Sequence, residues 1–199
     1  MSTLSAIICN YNHGKHVGKA IEAIVTQSRL PEQLIIVEDG STDNSVAVIE
    51  PYVRKYPFIQ FLQNPGNKGF IYSFARALAI AEGDFVFSGS ADDYILPGFF
   101  EKAMAAADKY PNSGVITGDY CSVDERGNLR STYRFRNWTL TGYQPASVFA
   151  EFLYINPAIT PAPATLYHRE YFKADGGFRF ELGPVCDLFA IHALLLKYG

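Results

Sequence analysis

The chain has 199 residues, a net charge of −3 and a hydrophobic fraction of 48%. This length suffices for one sizeable domain, and the composition is that of a globular protein rather than a disordered one. The slight acidic excess argues against a protein that binds nucleic acid by neutralising its phosphates, since such proteins need a basic surplus. We therefore expect a globular protein without a nucleic-acid partner.

The three cysteines, Cys9, Cys121 and Cys186, lie far apart in the sequence. They form no C-x-x-C motif, and an odd number of cysteines disfavours a disulfide framework. No apolar run approaches the length of a membrane span, and the N-terminus lacks the pattern of a signal peptide. We expect free thiols and a cytoplasmic protein with no membrane span; peripheral membrane association and the oligomeric state are left open.

The first half of the chain alternates between short apolar runs and helical patterns. Strands are predicted over 4–9, 34–37, 59–62 and 84–87, and helices around 21–28, over 45–56 and over 70–81. Pro51 is expected to disturb the second of these helices. The alternation is typical of βαβ units, and it predicts an α/β fold with a mostly parallel central sheet that is flanked by helices.

The second half of the chain is less regular. It predicts a helix from Pro97 to about Tyr110, strands over 115–117 and 120–123, a turn over 124–128 and a buried helix over 187–198. Most of the stretch 131–164 shows no clean periodicity and is predicted to be irregular. We expect a single domain over 1–199 and leave open whether it is truncated at its C-terminus.

Polar residues follow three of the predicted strands. They are Asn10-Tyr11-Asn12 after the first strand, the run 38–43 after the second and the run 90–94 after the fourth. In open parallel sheets, ligands bind outside the carboxyl ends of the strands. The alternative for the second cluster is a helix cap, since Ser41 and its neighbours precede a helix. Three such clusters at one edge of the sheet favour a binding site.

Asp92 and Asp93 form the sharpest of these clusters. Adjacent carboxylates repel each other unless a cation lies beside them, and oxygen ligands of this kind suit Mg²⁺ or Mn²⁺. The alternative is an Asx-type turn before the helix that is predicted from Pro97.

The loop Gly66-Asn67-Lys68-Gly69 lies directly before the third predicted helix. Its N–H groups can meet an anion, and a simple turn explains the same residues equally well. The sequence contains no P-loop, no dinucleotide-binding motif and no serine-hydrolase elbow.

These segments together resemble a known family. The runs 7–12, 34–45, 64–69, 81–84 and 91–93 resemble the start of a family 2 glycosyltransferase, and the runs 176–178 and 186–189 resemble its acceptor-side segment. The resemblance implies a Rossmann-like, A-type glycosyltransferase fold, in which residues 1–95 bind a nucleotide sugar and residues 96–199 form the acceptor side. It also implies transfer with inversion to a hydroxyl acceptor, and a divalent metal as cofactor.

The resemblance also assigns roles to residues. The residues expected to bind the donor are Asn10, Tyr11, Asn12, Asp39, Ser41, Lys68 and Asp92. Among them, Tyr11 and Asn12 would flank the base, and Asp39 would accept a hydrogen bond from its ring N–H, which favours a UDP-sugar over a CMP-linked donor. Asp92 and Asp93 resemble the pair in the family's metal motif and are the expected ligands of Mg²⁺ or Mn²⁺.

Asp187 resembles the general base of the family, and a helix cap is its alternative role. The sequence departs from the family pattern at Ser90, where an acid is usual, and at Ala75, where an asparagine is usual. The expected activity is sugar transfer to a carbohydrate or lipid-linked acceptor, such as a glycan or a cell-envelope polysaccharide precursor. The alternatives are a nucleotide-binding module with little or no turnover and, less favoured, a sugar nucleotidyltransferase, which usually has an Arg- and Gly-rich first loop.

Overall fold

The computed structural model describes residues 1–124, 126–133, 142–155 and 162–199. Along the chain its elements are β1 (Leu4–Asn10), α1 (Val17–Val25), β2 (Gln33–Glu38), α2 (Ser45–Lys55), β3 (Ile59–Gln63), α3 (Phe70–Ile80), β4 (Phe85–Ser90), α4 (Phe99–Lys109), β5 (Val115–Thr117), β6 (Tyr120–Val123), β7 (Leu129–Tyr133), α5 (Ala146–Ile155), β8 (Thr165–His168), α6 (Arg169–Ala174) and α7 (Cys186–Tyr198). Short 3₁₀ helices cover Ala162–Ala164 and Phe180–Val185.

The central sheet has the strand order β3-β2-β1-β4-β8-β5. The first four of these strands are parallel, and β8 runs antiparallel to both of its neighbours. The register pairs Asn10 with Glu38 and Cys9 with Ser90, so β1, β2 and β4 end at the same edge of the sheet. This edge therefore gathers the polar runs that follow the three strands, and the predicted mostly parallel α/β fold is confirmed.

Each face of the sheet is covered by its own hydrophobic core. One core packs α1, α2 and α4 against the sheet, and the other packs α3, α6 and α7. Successive residues of β1 point to opposite cores: Ile8 belongs to the first and Ile7 to the second, and both are fully buried. Burial on both faces explains why the strands appear in the sequence as continuous apolar runs without alternation.

The helices α2 and α4 agree to within two residues with the predicted helices over 45–56 and from Pro97 to about Tyr110. The helix α2 continues through Pro51, which was expected to disturb it. Pro51 is exposed, while Ser45 and Ile49 anchor the helix in the core, so the ring lies in solvent. The helix α4 begins at Phe99, after Gly98 adopts a left-handed backbone conformation with φ of 78°.

Several elements of the second half were not predicted. The helix α5 lies within the stretch predicted to be irregular, the strand β7 begins before that stretch and runs into it, and the strand β8 and the helix α6 follow it. The strand β8 has four residues and forms only through pairing with β4 and β5, which no local pattern reveals. Residues 134–141 and 156–161 of that stretch lie outside the described residues. In the described part of the chain, no helix combines the length and the apolar character that a bilayer crossing requires.

Candidate active site

The loops after β1 and β2 are joined by a buried hydrogen-bonded cluster. The Asn10 side chain, which is 1% exposed, donates from Nδ2 to Glu38 Oε2 at 2.6 Å and to Ser41 Oγ at 3.3 Å. The other Glu38 oxygen accepts the Ser41 N–H at 2.6 Å. Ser41 Oγ in turn accepts the Asn12 N–H at 2.8 Å. Asn10 and Ser41, two of the residues predicted to bind the nucleotide sugar, thus hold the two loops in place beside the sheet edge.

The first loop presents Tyr11 to solvent. Asn12 has a φ of 57°, in the left-handed region that asparagine tolerates better than most residues. Its Oδ1 accepts the Thr42 N–H at 2.8 Å, which fixes the turn against the second loop. Tyr11 precedes this turn and is 40% exposed, so its ring is available to stack on a flat ligand.

Neither Ser41 nor Asp43 occupies the N-cap position of α2, which belongs to Asn44. Asp43 Oδ1 accepts the N–H of Ser45 at 2.9 Å at the start of α2, and Oδ2 accepts the N–H of Gly14 at 2.8 Å. The hydrogen bonds from the Ser45 hydroxyl and from Gly14 lower the pKa of Asp43. Asp43 therefore supports the start of α2 from the position before the N-cap, and Ser41 connects the loops.

Asp39 is buried, with 3% exposure, and holds the glycine loop before α3. Its Oδ1 accepts hydrogen bonds from Asn64 Nδ2 at 2.6 Å and from the Lys68 N–H at 2.9 Å. Its Oδ2 accepts the Gly69 N–H at 2.8 Å. The loop that contains Lys68 is thus fixed by a carboxylate, which its N–H groups bind in place of a free anion.

Asn64 begins the run 64–69 of the family resemblance, but the sequence analysis gave it no role of its own. It is buried, and besides Asp39 its Nδ2 contacts Ser73 Oγ at 2.9 Å. Its Oδ1 accepts a hydrogen bond from Arg76, whose guanidinium also donates to the Gln63 carbonyl. The network ties the end of β3 and two turns of α3 to Asp39. Besides the resemblance of the run 64–69, the signal in the sequence was a polar residue directly after a strand, as at the other strand ends.

Asp92 and Asp93 follow β4 at the sheet edge and are both exposed. Ser90 donates its hydroxyl to Asp92 Oδ1. Partial desolvation, together with the charge of Asp92, raises the pKa of Asp93. Among the described residues, neither carboxylate forms an ion pair, and no three metal-binding side chains are grouped together. Two uncompensated carboxylates fit an ion that takes one or two protein ligands and the rest from a phosphate and water.

A cavity of about 460 Å³ brings three of the predicted site residues together. Lys68, Asp93 and Asp187 all line it, although they come from three separate segments of the chain. Aromatic residues of α3 and of the segment before α7 complete its walls, among them Phe70 and Phe178. The arrangement places one lysine and two carboxylates, Asp93 and Asp187, around one space.

Asp187 is half-buried and is the second residue of α7. The residue at the N-cap position is Val185, so the predicted cap role is wrong in its position, although Asp187 Oδ1 does accept the adjacent Leu188 N–H at 2.7 Å. Tyr167 is fully buried in the same cavity wall, and burial followed by the charge of Asp187 raises its pKa. This tyrosine was not identified from the sequence.

The chain resembles known proteins over most of its length. Residues 5–176 match the family described as Glycosyl transferase family 2. An uncharacterized glycosyltransferase of Mycoplasma pneumoniae is 30% identical over 125 residues, which cover 61% of this chain and 41% of that protein. A cholesterol galactosyltransferase of Borreliella burgdorferi is 29% identical over 141 residues, which cover 70% of this chain and 39% of that protein.

The fold is similar to that of a solved structure, S. aureus TarS 1-349 in complex with UDP. The TM-score is 0.77 at 25% identity, and the match covers 96% of this chain and 55% of that one. The chain therefore spans about half of this structure, and about two fifths of the two curated relatives that it matches. The family match, the relatives and the shared architecture agree, and the chain belongs to glycosyltransferase family 2, with an A-type glycosyltransferase fold.

Proposed function

We propose that this chain transfers a sugar from a UDP-sugar to a hydroxyl acceptor, with inversion at the anomeric carbon. The observation that carries the proposal is that Lys68, Asp93 and Asp187 all line the same cavity. The structures of TarS in complex with UDP and with UDP-GlcNAc support a nucleotide-sugar donor. The acceptor proposed here is a glycan or a precursor of a cell-envelope polysaccharide, and the proposed location is the cytoplasm.

The donor would lie along the edge of the sheet. Tyr11 would stack on the base, and Asp39 would accept its ring N–H through Oδ2, which receives one hydrogen bond in the structure and has two lone pairs. Lys68, at the cavity wall, would place its ammonium group near the diphosphate.

Asp92 and Asp93 would hold a divalent cation, Mg²⁺ or Mn²⁺. When bound, such an ion offsets the negative charge that develops on a leaving diphosphate. Partial desolvation and then the charge of Asp92 raise the pKa of Asp93, and a bound cation would offset both effects, which supports the assignment.

The transfer step requires a base on the face of the sugar opposite the leaving group. The acceptor oxygen would form a bond to the anomeric carbon, and the bond from that carbon to the diphosphate oxygen would break with its electron pair leaving on the diphosphate. The proton of the acceptor hydroxyl would pass to the Asp187 carboxylate. Asp187 comes from α7 and Asp93 from the end of β4, so they can approach the sugar from different sides.

Donor hydrolysis by the purified protein tests the proposal. With Mn²⁺ and no acceptor, we expect slow release of UDP from UDP-glucose or UDP-GlcNAc, since water can replace the acceptor. Stabilisation by UDP without any release of UDP from either donor would instead indicate a nucleotide-binding module without turnover. The absence of both effects would contradict the proposed donor.

A further inference from the structure

Asp39, the residue proposed to contact the base, presents two unequal carboxylate oxygens. Its Oδ1 accepts two hydrogen bonds, from the Asn64 side chain at 2.6 Å and from the Lys68 N–H at 2.9 Å. Within the described part of the chain, its Oδ2 accepts one, from the Gly69 N–H at 2.8 Å. Each carboxylate oxygen has two lone pairs, so Oδ1 is fully occupied and Oδ2 keeps one for a ligand. The residues that hold Oδ1 therefore decide which oxygen meets the base.

Asn64 can hold Oδ1 of Asp39 in only one orientation of its own amide. Its Nδ2 donates to Asp39 and to Ser73 Oγ at 2.9 Å, and its Oδ1 faces Arg76. A turned amide would bring an oxygen against the Asp39 carboxylate, with no proton between the two acceptors. Asn64 is 6% exposed, so water has little access to a polar atom that loses its partner there. The amide must therefore be held at both ends.

Arg76 holds the other end of this amide. Its guanidinium donates to Asn64 Oδ1 and, at 3.1 Å, to the backbone carbonyl of Gln63, the last residue of β3. A guanidinium carries donors only, so it accepts nothing from Nδ2 and favours the observed orientation. Hydrogen bonds from an ionised donor are also stronger than those between neutral groups. Ser73 does not distinguish the two orientations, because a hydroxyl both donates and accepts.

We propose that Arg76 is a positioning residue for recognition of the donor base. It acts through Asn64, which keeps Oδ1 of Asp39 occupied and leaves Oδ2 as the acceptor for a ring N–H. Arg76 lies on α3 and does not line the cavity that contains Asp187, so its effect on the base is separate from the transfer step. The inference rests on the proposed contact between Asp39 and the base.

UDP and CDP are the probes, because both carry the same ribose and diphosphate and only the uracil ring has a hydrogen at N3. Calorimetric titration in the presence of Mn²⁺ gives the ratio of their dissociation constants. A hydrogen bond to a charged group predicts a preference for UDP of about tenfold or more in the unaltered protein. In Arg76→Met, we expect this preference to fall to about a third of its value or less, in line with the coupling between residues of one hydrogen-bond network. The affinity for CDP should stay nearly unchanged.

Two further variants locate the effect. Arg54→Met is the matched control, because Arg54 forms a surface ion pair with Glu50 at 3.2 Å on α2, and both affinities should remain as they are in the unaltered protein. Asn64→Ala should lower the preference for UDP as well. Addition of Arg76→Met to Asn64→Ala should have no further effect on the preference, because the two residues act along one chain of contacts.

An unchanged preference in Arg76→Met would overturn the proposal and leave the contact of Asp39 with the base standing. An equal loss of affinity for UDP and CDP would also overturn it, since a merely structural role or the loss of one positive charge weakens both alike. A further loss of preference in the double variant would show that Arg76 does not act through Asn64. Equal binding of UDP and CDP by the unaltered protein would refute the contact of Asp39 with the base, and this inference with it. Release of UDP from a UDP-sugar by that same protein would still support the proposed transfer.

Discussion

Asp187 could serve as the catalytic base, and it could also stabilise the helix α7. It lies within the first turn of α7 rather than at the N-cap, and it lines the cavity that also contains Asp93. A carboxylate in the first helical turn interacts favourably with the helix dipole, so some contribution to stability is expected as well. A substitution that removes the charge of Asp187 but keeps its shape should abolish its action as a base and should have a smaller effect on the stability of α7.

Asp187→Asn should lower the rate of sugar transfer or donor hydrolysis by about a hundred- to ten-thousandfold, since an amide cannot take the acceptor proton. The affinity for UDP should remain nearly unchanged, because the base acts on the acceptor. Steady-state kinetics and calorimetric titration with UDP measure the two effects. The control is Glu181→Gln, an exposed acid just before α7, which should behave as the unaltered protein does. Near-normal turnover in Asp187→Asn would refute the assignment of the base.

Asp92→Asn should remove the part of UDP binding that depends on Mn²⁺. The reason is that the pair of carboxylates would lose one of the two oxygen donors proposed for the ion. Thermal shift with UDP, in the presence and absence of Mn²⁺, isolates this part. Glu50→Gln, which affects only a surface ion pair with Arg54 at 3.2 Å, serves as the control. An Asp92→Asn protein that gains as much from Mn²⁺ as the unaltered protein would contradict the metal assignment.

At the scale of elements, the site depends on how closely two loops approach each other. Gly40, after β2, has a φ of 75°, and a Cβ atom there would lie 2.4 Å from the Cα of Gly66 in the loop before α3. Asp39 then holds that second loop through Lys68 and Gly69. The loops can contact only because residue 40 has no side chain and tolerates a positive φ.

Gly40→Ala should therefore destabilise the protein more than a glycine substitution in open space. The control is Gly98→Ala, which has a similar φ of 78° but no atom within 4 Å of the added Cβ. The control should cost about 1 to 2 kcal/mol from backbone strain alone. Gly40→Ala should cost more, because the loops must also separate, and it should weaken UDP binding. Urea unfolding gives both free energies, and equal losses would show that the close approach is not required.

At the scale of the whole molecule, ligand binding and folding are linked. UDP with Mn²⁺ at one hundred times its dissociation constant should raise the free energy of unfolding by about 2.7 kcal/mol. CMP should stabilise the protein much less at the same concentration, because cytosine carries no N–H at N3 to donate to Asp39. Thermal unfolding with a panel of UDP, GDP, TDP and CMP measures this preference. Tight binding of CMP together with weak binding of UDP would show that Asp39 does not contact the base.

The sequence alone was enough for the parallel part of the fold. The runs of β1 to β4 are apolar on both faces, and helices separate them, so local patterns already required a covered parallel sheet. The polar runs at Asn10, Asp39 and Asp92 were also visible, because each directly follows an apolar run. In a parallel sheet the carboxyl ends of the strands lie at the same edge, so these polar runs come together without any further information about packing.

The tertiary structure alone decided the remaining features. The strand β8 is too short to carry a pattern, and it exists because β4 and β5 supply its hydrogen bonds. The buried contact of Asn64 with Asp39 and the meeting of Asp187 with Asp93 around one cavity join segments far apart in the chain. The sequence determined elements whose free energy comes from local periodicity and burial, whereas contacts between distant segments depend on packing that no single segment encodes.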